Sequence, residues 1–193
     1  MVAQHRAQNK RELRVIGIDQ ALRNVGFCIN NVASQQLTAT VFKEHKLRGA
    51  ERLSSLRRCI IAYIRRFNPD LVALEGYAYD ATNRLADLGE IGGILRVELF
   101  DLGIPYIVVP PTTLKQFVTG SGAASKEKMM YFVKERYRYL TDNDNIADAI
   151  GLAKFAEVYT TGHSRYRSEL EVVKSFMREK TKVRVKFKKA VGL

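Results

Sequence analysis

The chain has 193 residues, 46% of them hydrophobic and 27% charged, which is enough for one domain with a sizeable core. No apolar run approaches the ~20 residues of a membrane span, and the polar start lacks the apolar stretch of a secretory signal. The net charge of +12 favours a polyanionic partner, nucleic acid above all, over a membrane surface or a charge that only aids solubility. Cys28 and Cys59 are isolated and lack zinc-type spacing, so we expect a cytoplasmic protein without disulfides.

The first half of the chain begins with strand patterns. Residues 1–12 form a polar, basic arm that we expect to be flexible. Three apolar runs with short connections, 15–18, 26–30 and 38–42, predict an antiparallel meander. The first run ends in Asp19, and a buried carboxylate is costly unless a partner such as a metal ion compensates its charge. A simple turn aspartate is the alternative at this position.

A helix and a second acidic strand end follow. Apolar residues at helical spacing predict a helix over 50–67, and the next apolar run, 71–74, ends in Glu75. This helix–turn–strand order indicates a parallel crossover. Tyr77 and Tyr79 follow in a polar loop, where we expect them to meet DNA at the mouth of the site. The alternative is that one or both pack on the neighbouring helix.

Glycines and prolines mark the next elements. A helix is predicted over 83–102, a parallel-type strand over 104–109 and a short helix over 112–117. Three small residues of the first of these helices permit close packing, and we expect them to face a second subunit: Gly89, Gly92 and Gly93.

A glycine-rich loop over 119–125 opens the following helix. Ser125 is a good N-cap, and backbone amides with Lys126 at a helix start suit a phosphate, although many helices begin this way. We expect Lys126 and Lys128 to contact DNA, with Lys115 extending the same track.

Acidic residues cluster again at the start of a helix near Asp144. Asp144 and Asp148 are one turn apart on one face, where like charges repel by a few tenths of a kcal/mol unless a cation offsets them. Attraction of acids to the positive end of the helix dipole is the alternative. It accounts for Asp142 and Asp144 better than for Asp148, which lies in the second turn.

The composition changes past residue 161, so we divide the chain into a domain over 13–161 and a basic extension over 162–193. The segment 180–189 alternates basic with apolar residues, which predicts an edge strand with a cationic face or a tail that orders on nucleic acid. Its expected DNA contacts are Lys182, Arg184 and Lys186. A merely solvated tail is the alternative.

The acidic positions combine into one predicted site. Adjacent buried strands would bring Asp19 and Glu75 side by side, and a helix packed across the sheet can deliver Asp148 and Asp144 to the same point. An oxygen-rich cluster without imidazole suits Mg²⁺, for which Mn²⁺ can substitute. Two such ions ~3.5–4 Å apart stabilise the attacking water and the leaving oxygen of a phosphodiester.

The order of elements and these carboxylates resemble the ribonuclease H-like superfamily and, within it, the RuvC family of Holliday junction resolvases. The resemblance covers roughly residues 13–160. The segments that carry it are 15–19, 25–27, 74–75, 111–120 with 125–126, and 145–153. It implies an α/β fold with a mixed five-stranded sheet flanked by helices. It also implies a homodimer that binds a four-way DNA junction and nicks two opposed strands, with Asp19, Glu75 and Asp148 as catalytic carboxylates.

The sequence departs from the family pattern at two places in the site. The family's fourth ligand is commonly an Asp or His at the position of Asn145, so we favour Asp144 as that ligand, with Asn145 or Asp142 in reserve. Bacterial members usually carry a glycine pair or Pro-Gly after the first Asp, whereas this chain has Gln20 and then alanine. Such departures, with the basic extension, resemble divergent phage or viral resolvases.

Other functions remain open at this stage. Actin-like and sugar-kinase folds also begin with a strand, an Asp and a glycine turn, but they need a much longer, duplicated chain. A non-catalytic DNA-binding protein on the same fold would not need three buried acids. A broader branched-DNA or flap endonuclease remains compatible with the sequence.

Overall fold

A computed structural model describes residues 12–21, 23–77 and 85–190, with the side chains of 85–88 and 180–190 set aside. Five strands form one mixed sheet in the order β3-β2-β1-β4-β5. The antiparallel meander is confirmed, and β4 and β5 join β1 in parallel. The strands are β1 (Arg14–Asp19), β2 (Asn24–Asn31), β3 (Gln36–Lys43), β4 (Leu71–Glu75) and β5 (Tyr106–Val109).

Helices cover both faces of this sheet. They are α1 (Gly49–Phe67), α2 (Leu85–Asp101), α3 (Pro111–Thr119), α4 (Lys126–Tyr137), α5 (Asp144–Thr161) and α6 (Arg167–Ala190). The first two pack on one face and the other four on the opposite face, so that the sheet separates two hydrophobic clusters. None of the helices within the described ranges combines the length and apolarity that crossing a bilayer requires.

The alternation of side chains along β1 decides which residues meet which layer. Ile16 and Ile18 are fully buried in the cluster under α1 and α2, whereas Val15 belongs to the cluster under α5. Gly17 lies against α5, and Asp19 is two residues further on the same face. The first acidic side chain is therefore placed on the α5 side of the sheet.

Helix α5 lies unusually close to the strands because two glycines leave room for its backbone. A Cβ at Gly17 would be 2.1 Å from the carbonyl oxygen of Ala149, and one at Gly26 would be 2.0 Å from that of Asn145. Any side chain at either position would lift the helix from the sheet. Glycine in a strand interior often marks such an approach of backbone to backbone.

The C-terminal segment corrects one prediction. The alternating pattern over 180–189 does not form an edge strand, because the backbone there continues the helix α6 to Ala190. The first turns of α6 are fixed by Val173 and Phe176, both buried in the α5-side cluster. Once such turns exist, each further residue adds a hydrogen bond at little cost, so the helix extends. Residues 1–11 of the predicted arm lie outside the described part of the chain.

Candidate active site

Two acidic side chains meet where neighbouring parallel strands end. The pairing of β1 with β4 has Ile18 opposite Leu74, so Asp19 and Glu75 leave the sheet together at its carboxyl edge. Asp19 is only 6% exposed. The two carboxyl groups are close enough to share a hydrogen bond. The predicted side-by-side arrangement of these strand ends is confirmed.

Helix α5 delivers the third carboxylate. The Asn143 side chain caps its first turn by accepting a hydrogen bond from the Ile146 amide at 3.1 Å. The close approach at Gly26 then brings the start of the helix over the strand ends. Asp19, Glu75 and Asp148 each present an oxygen within 4.8 Å of the others. Three elements far apart in the chain thus converge on one point.

Burial raises the pKa values of all three acids, and the charges of neighbouring acids raise those of Asp19 and Asp148 further. Burial is the main cause for Asp19, whose pKa lies well above its usual value, followed by the charges of Glu75 and Asp148. Burial raises the pKa of Glu75 as well. Burial and the charges of Glu75 and Asp144 raise the pKa of Asp148 to about 7, although Lys115 and Lys126 oppose this. The two lysines do not offset the burial of these acids, and a divalent cation would supply the further positive charge that favours their ionised forms.

The chemistry of the donors fits a hard cation. All three candidate ligands are carboxylate oxygens, the set preferred by Mg²⁺ and Mn²⁺, and they lie in a cleft of about 300 Å³ that also receives solvent. The residues present therefore fit the metal that the family resemblance implies.

The favoured fourth ligand lies in the same cleft but has another partner. Asp144 forms an ion pair with Lys126, whose hydrogen bond lowers the pKa of this carboxyl. Asn145 also lines the cleft, whereas Asp142 does not line it. The cluster of three acids does not include Asp144, so its role as a ligand stays a prediction.

The predicted DNA-contacting lysines separate into two groups. Lys115 and Lys126 line the cleft, one from α3 and one from the first turn of α4. Lys128 is exposed and lies outside the cleft lining, although its backbone amide donates to the Ser125 cap as the sequence predicted. Lys182, Arg184 and Lys186 lie on the helical backbone of α6, where side chains are not described.

Tyr77 packs on helix α2, the alternative that the sequence left open. The Nη2 atom of Arg96 donates to its hydroxyl at 3.2 Å, and the guanidinium carbon lies 5.7 Å from its ring centroid. Its hydroxyl also occupies the space in front of Gly92. Tyr77 nevertheless lines the cleft, so a DNA contact remains a prediction. Tyr79 lies outside the described residues.

Sequence reasoning missed three residues that shape the site. Gly17 and Gly26 set the depth of α5, and their presence inside two strand patterns was a signal that could have been used. Gln20 is 5% exposed, and its side-chain amide donates to the Glu75 backbone carbonyl. Only its departure from the family's glycine distinguished Gln20 in the sequence.

A mixed sheet of this order, with acids at adjacent strand ends and on a crossing helix, defines a nuclease of the ribonuclease H-like class. The family model for crossover junction endodeoxyribonuclease RuvC matches residues 15–155, and the chain belongs to this family.

Individual relatives agree with this assignment. A crossover junction endodeoxyribonuclease RuvC of Synechococcus sp. (strain WH7803) is 26% identical over 147 residues, which cover 73% of this chain and 96% of the relative. The Thermus thermophilus RuvC structure matches with a TM-score of 0.64 and 27% identity, covering 78% of this chain and 97% of that one. T. thermophilus RuvC in complex with Holliday junction substrate matches with a TM-score of 0.63 and 25% identity, over 73% and 90% of the two chains.

Proposed function

We propose that this RuvC-family protein resolves four-way DNA junctions by hydrolysing one phosphodiester in each of two opposed strands. The observation that carries the proposal is the convergence of Asp19, Glu75 and Asp148 within 4.8 Å at the end of the sheet. The junction as substrate is supported by the resemblance to T. thermophilus RuvC, whose structure was determined in complex with a Holliday junction. A cytoplasmic place of action, in the bacterial host if a phage encodes the chain, belongs to the same proposal.

The carboxylates hold the catalytic metal. Asp19, Glu75 and Asp148 bind Mg²⁺, with Mn²⁺ able to substitute, and Asp144 completes the set. When bound, the metal activates a water and stabilises the charge of the leaving oxygen. Before metal binds, raised pKa values keep part of the cluster protonated, so metal and protons compete for these oxygens.

Two lysines of the cleft position the phosphate. Lys126 lies at the start of α4, where its charge adds to the positive end of the helix dipole. In the free protein it pairs with Asp144, so DNA and metal can each take one partner of this ion pair. Lys115 lines the same cleft from helix α3. Lys128 and the basic residues of α6 (Lys182, Arg184 and Lys186) extend the contact along the DNA.

Cutting two opposed strands requires two metal centres, which a homodimer supplies. The outer face of α2 is the best candidate for the subunit contact, because Val97 is 60% and Phe100 79% exposed there. These residues adjoin a groove of about 590 Å³ between α1 and α2 that Gly93 lines with mainly apolar neighbours. Gly89 and Gly93 leave open space where a partner could approach. Gly92 does not, because it faces Tyr77 and Gln20 of its own chain.

A cleavage comparison tests this function. Purified protein is incubated with a four-way junction, a fork, a flap and a plain duplex, each with and without Mg²⁺. We expect metal-dependent, symmetrical nicks in opposed junction strands, with ends that ligase reseals. Equal cutting of forks and flaps would replace the resolvase with a broader branched-DNA endonuclease. Junction binding without any cutting would indicate a non-catalytic DNA-binding protein.

A further inference from the structure

Gln20 follows the first acidic ligand and is 5% exposed, with its side chain against Gly92 of helix α2. We propose that Gln20 is a positioning residue that fixes Glu75 against Asp19 and that rests on Gly92 of helix α2. The inference rests on the proposed function, because it treats Asp19 and Glu75 as metal ligands.

The first step concerns the two strands. Their backbone pairing ends with Ile18 opposite Leu74, one residue before the two acids. Beyond that pair, the side-chain amide of Gln20 crosses from the end of β1 and donates to the backbone carbonyl of Glu75. This hydrogen bond therefore adds one more link between β1 and β4. It lies beside Asp19 and Glu75, whose carboxylates must keep a fixed separation to bind one metal ion.

The second step concerns the opposite side of the sheet. Because successive side chains alternate, Gln20 points away from the α5 layer that Asp19 faces and towards α2. A Cβ at Gly92 would be 2.6 Å from the Gln20 Oε1 atom and 2.1 Å from the Tyr77 hydroxyl. Gln20 is thus enclosed between Glu75 and the bare backbone of α2, and Tyr77 is held beside it by Arg96.

The third step is energetic. The Oε1 atom of Gln20 is buried and accepts no hydrogen bond from the residues that the structure describes. Burying an unsatisfied amide oxygen is unfavourable, so another contact of the same side chain has to offset the loss. The Nε2 atom of the same side chain donates the hydrogen bond to the Glu75 carbonyl, and we infer that this bond offsets the cost of burying the oxygen.

Metal affinity reports on this role directly. Gln20→Met keeps the length of the side chain but removes the hydrogen-bond donor, and Gln20→Gly removes the side chain entirely. Binding of Mn²⁺ to the full chain without DNA is followed by electron paramagnetic resonance. We expect both variants to bind Mn²⁺ about tenfold more weakly, in the range found for groups that orient metal ligands. Raising Mg²⁺ should restore most of the cleavage rate, with junction affinity in the absence of metal unchanged.

Two further variants isolate the contact with α2. Gly92→Ala should weaken Mn²⁺ binding in the same direction, because its methyl group displaces Gln20 and Tyr77. Gly89→Ala lies one turn earlier, where none of the described residues comes within 4 Å of the added methyl group, and should leave Mn²⁺ affinity unchanged. Wild-type Mn²⁺ affinity in folded Gln20→Met and Gln20→Gly would overturn the positioning role, even if both unfold at lower temperature.

Asp19→Asn separates this failure from failure of the proposed function. If Asp19→Asn abolishes Mn²⁺ binding while the Gln20 variants bind normally, the metal centre stands and the positioning role is wrong. If the wild-type chain binds no Mn²⁺ that depends on Asp19, the proposed metal centre and the role of Gln20 fail together.

Discussion

Asp19 is the most deeply buried of the three converging acids, and its replacement gives the clearest test of catalysis. Asp19→Asn should abolish cleavage, because a neutral amide holds a divalent cation poorly. Junction affinity should stay the same or increase, because a negative charge near the phosphates has been removed. Cleavage assays and a gel-shift titration measure the two effects. A normal cutting rate in Mg²⁺ would exclude Asp19 from the site.

The raised pKa of Asp148 predicts how stability depends on pH. Its pKa of about 7 in the folded protein exceeds the ordinary value of 3.8, so the native state binds this proton more tightly than the unfolded chain. The free energy of unfolding should therefore fall as the pH rises from about 4 to about 7, by up to ~4 kcal/mol for this group. Asp148→Asn should remove this loss. Compared with the wild-type protein, the variant should therefore gain more stability at pH 8 than at pH 5.

Urea unfolding in chelator at both pH values measures this difference. Added Mg²⁺ should stabilise the wild-type protein at pH 8 far more than Asp148→Asn, because the ion offsets the repulsion that the substitution removes. An Asp148→Asn variant whose stability keeps the wild-type pH dependence would show that this carboxyl is already ionised near pH 4.

The fourth ligand can be decided by comparing two neighbours. If Asp144 completes the set, Asp144→Asn should reduce cleavage much more than Asn145→Ala. The substitution also frees Lys126, so DNA binding should strengthen slightly while cleavage falls. The opposite order of cleavage rates would assign the ligand to Asn145, the position used by the family.

Helix α5 is the element on which the site depends most. Gly17→Ala should lift it, because the new methyl group would lie 2.1 Å from the Ala149 carbonyl oxygen. We expect a loss of at least ~1–3 kcal/mol in the free energy of unfolding, typical of overpacking. Urea denaturation measures the loss, with Gly89→Ala as a control that has room for its methyl group. Equal stability of the two variants would show that α5 can shift freely.

Helix α6 has a packed half and a basic half, which should be tested separately. Truncation after residue 161 would expose the core around Val173 and Phe176, so removal of 180–193 is the cleaner change. Junction affinity should fall, and the slope of log K against log salt should flatten by roughly 0.9 per lost phosphate contact. An unchanged slope would show that the basic half of α6 makes no contact with the DNA phosphates.

At the scale of the whole molecule, the subunit contact can be tested on α2. A double variant, Val97→Asp with Phe100→Asp, places charges on the exposed outer face and should convert a dimer to monomers without disturbing the core. Light scattering measures the mass. The monomer should nick single strands at random rather than in opposed pairs. A wild-type protein that is monomeric even on junction DNA would contradict the contact.

The overall architecture could be predicted from the sequence because its signals are local. Short apolar runs identified the strands, and helical spacing identified α1 close to its observed bounds and the start of α5 at Asp144. The convergence of Asp19, Glu75 and Asp148 followed from the rule that parallel strands end at the same edge. These predictions needed only the order of elements and the direction of each strand.

The remaining features depend on contacts between distant residues, which periodicity does not encode. The ion pair between Lys126 and Asp144 and the packing of Tyr77 on α2 both depend on the tertiary structure, so sequence patterns could not predict them. The basic segment over 180–189 alternates as a strand does in sequence, yet its backbone is helical. Its helical form follows from turns already anchored in the core upstream.

Because Gly17 and Gly26 lack side chains, helix α5 approaches the sheet closely, and this distance sets the spacing of the three acidic groups. Asp148 lies on helix α5, whereas Asp19 and Glu75 lie on strands of the sheet. The distances between their oxygens therefore change whenever α5 moves towards or away from the strands. Substitutions deep under α5, far from any phosphate, should therefore alter metal affinity by changing that separation. Evolving such a protein towards tighter or weaker metal binding would not require any change to the ligands themselves.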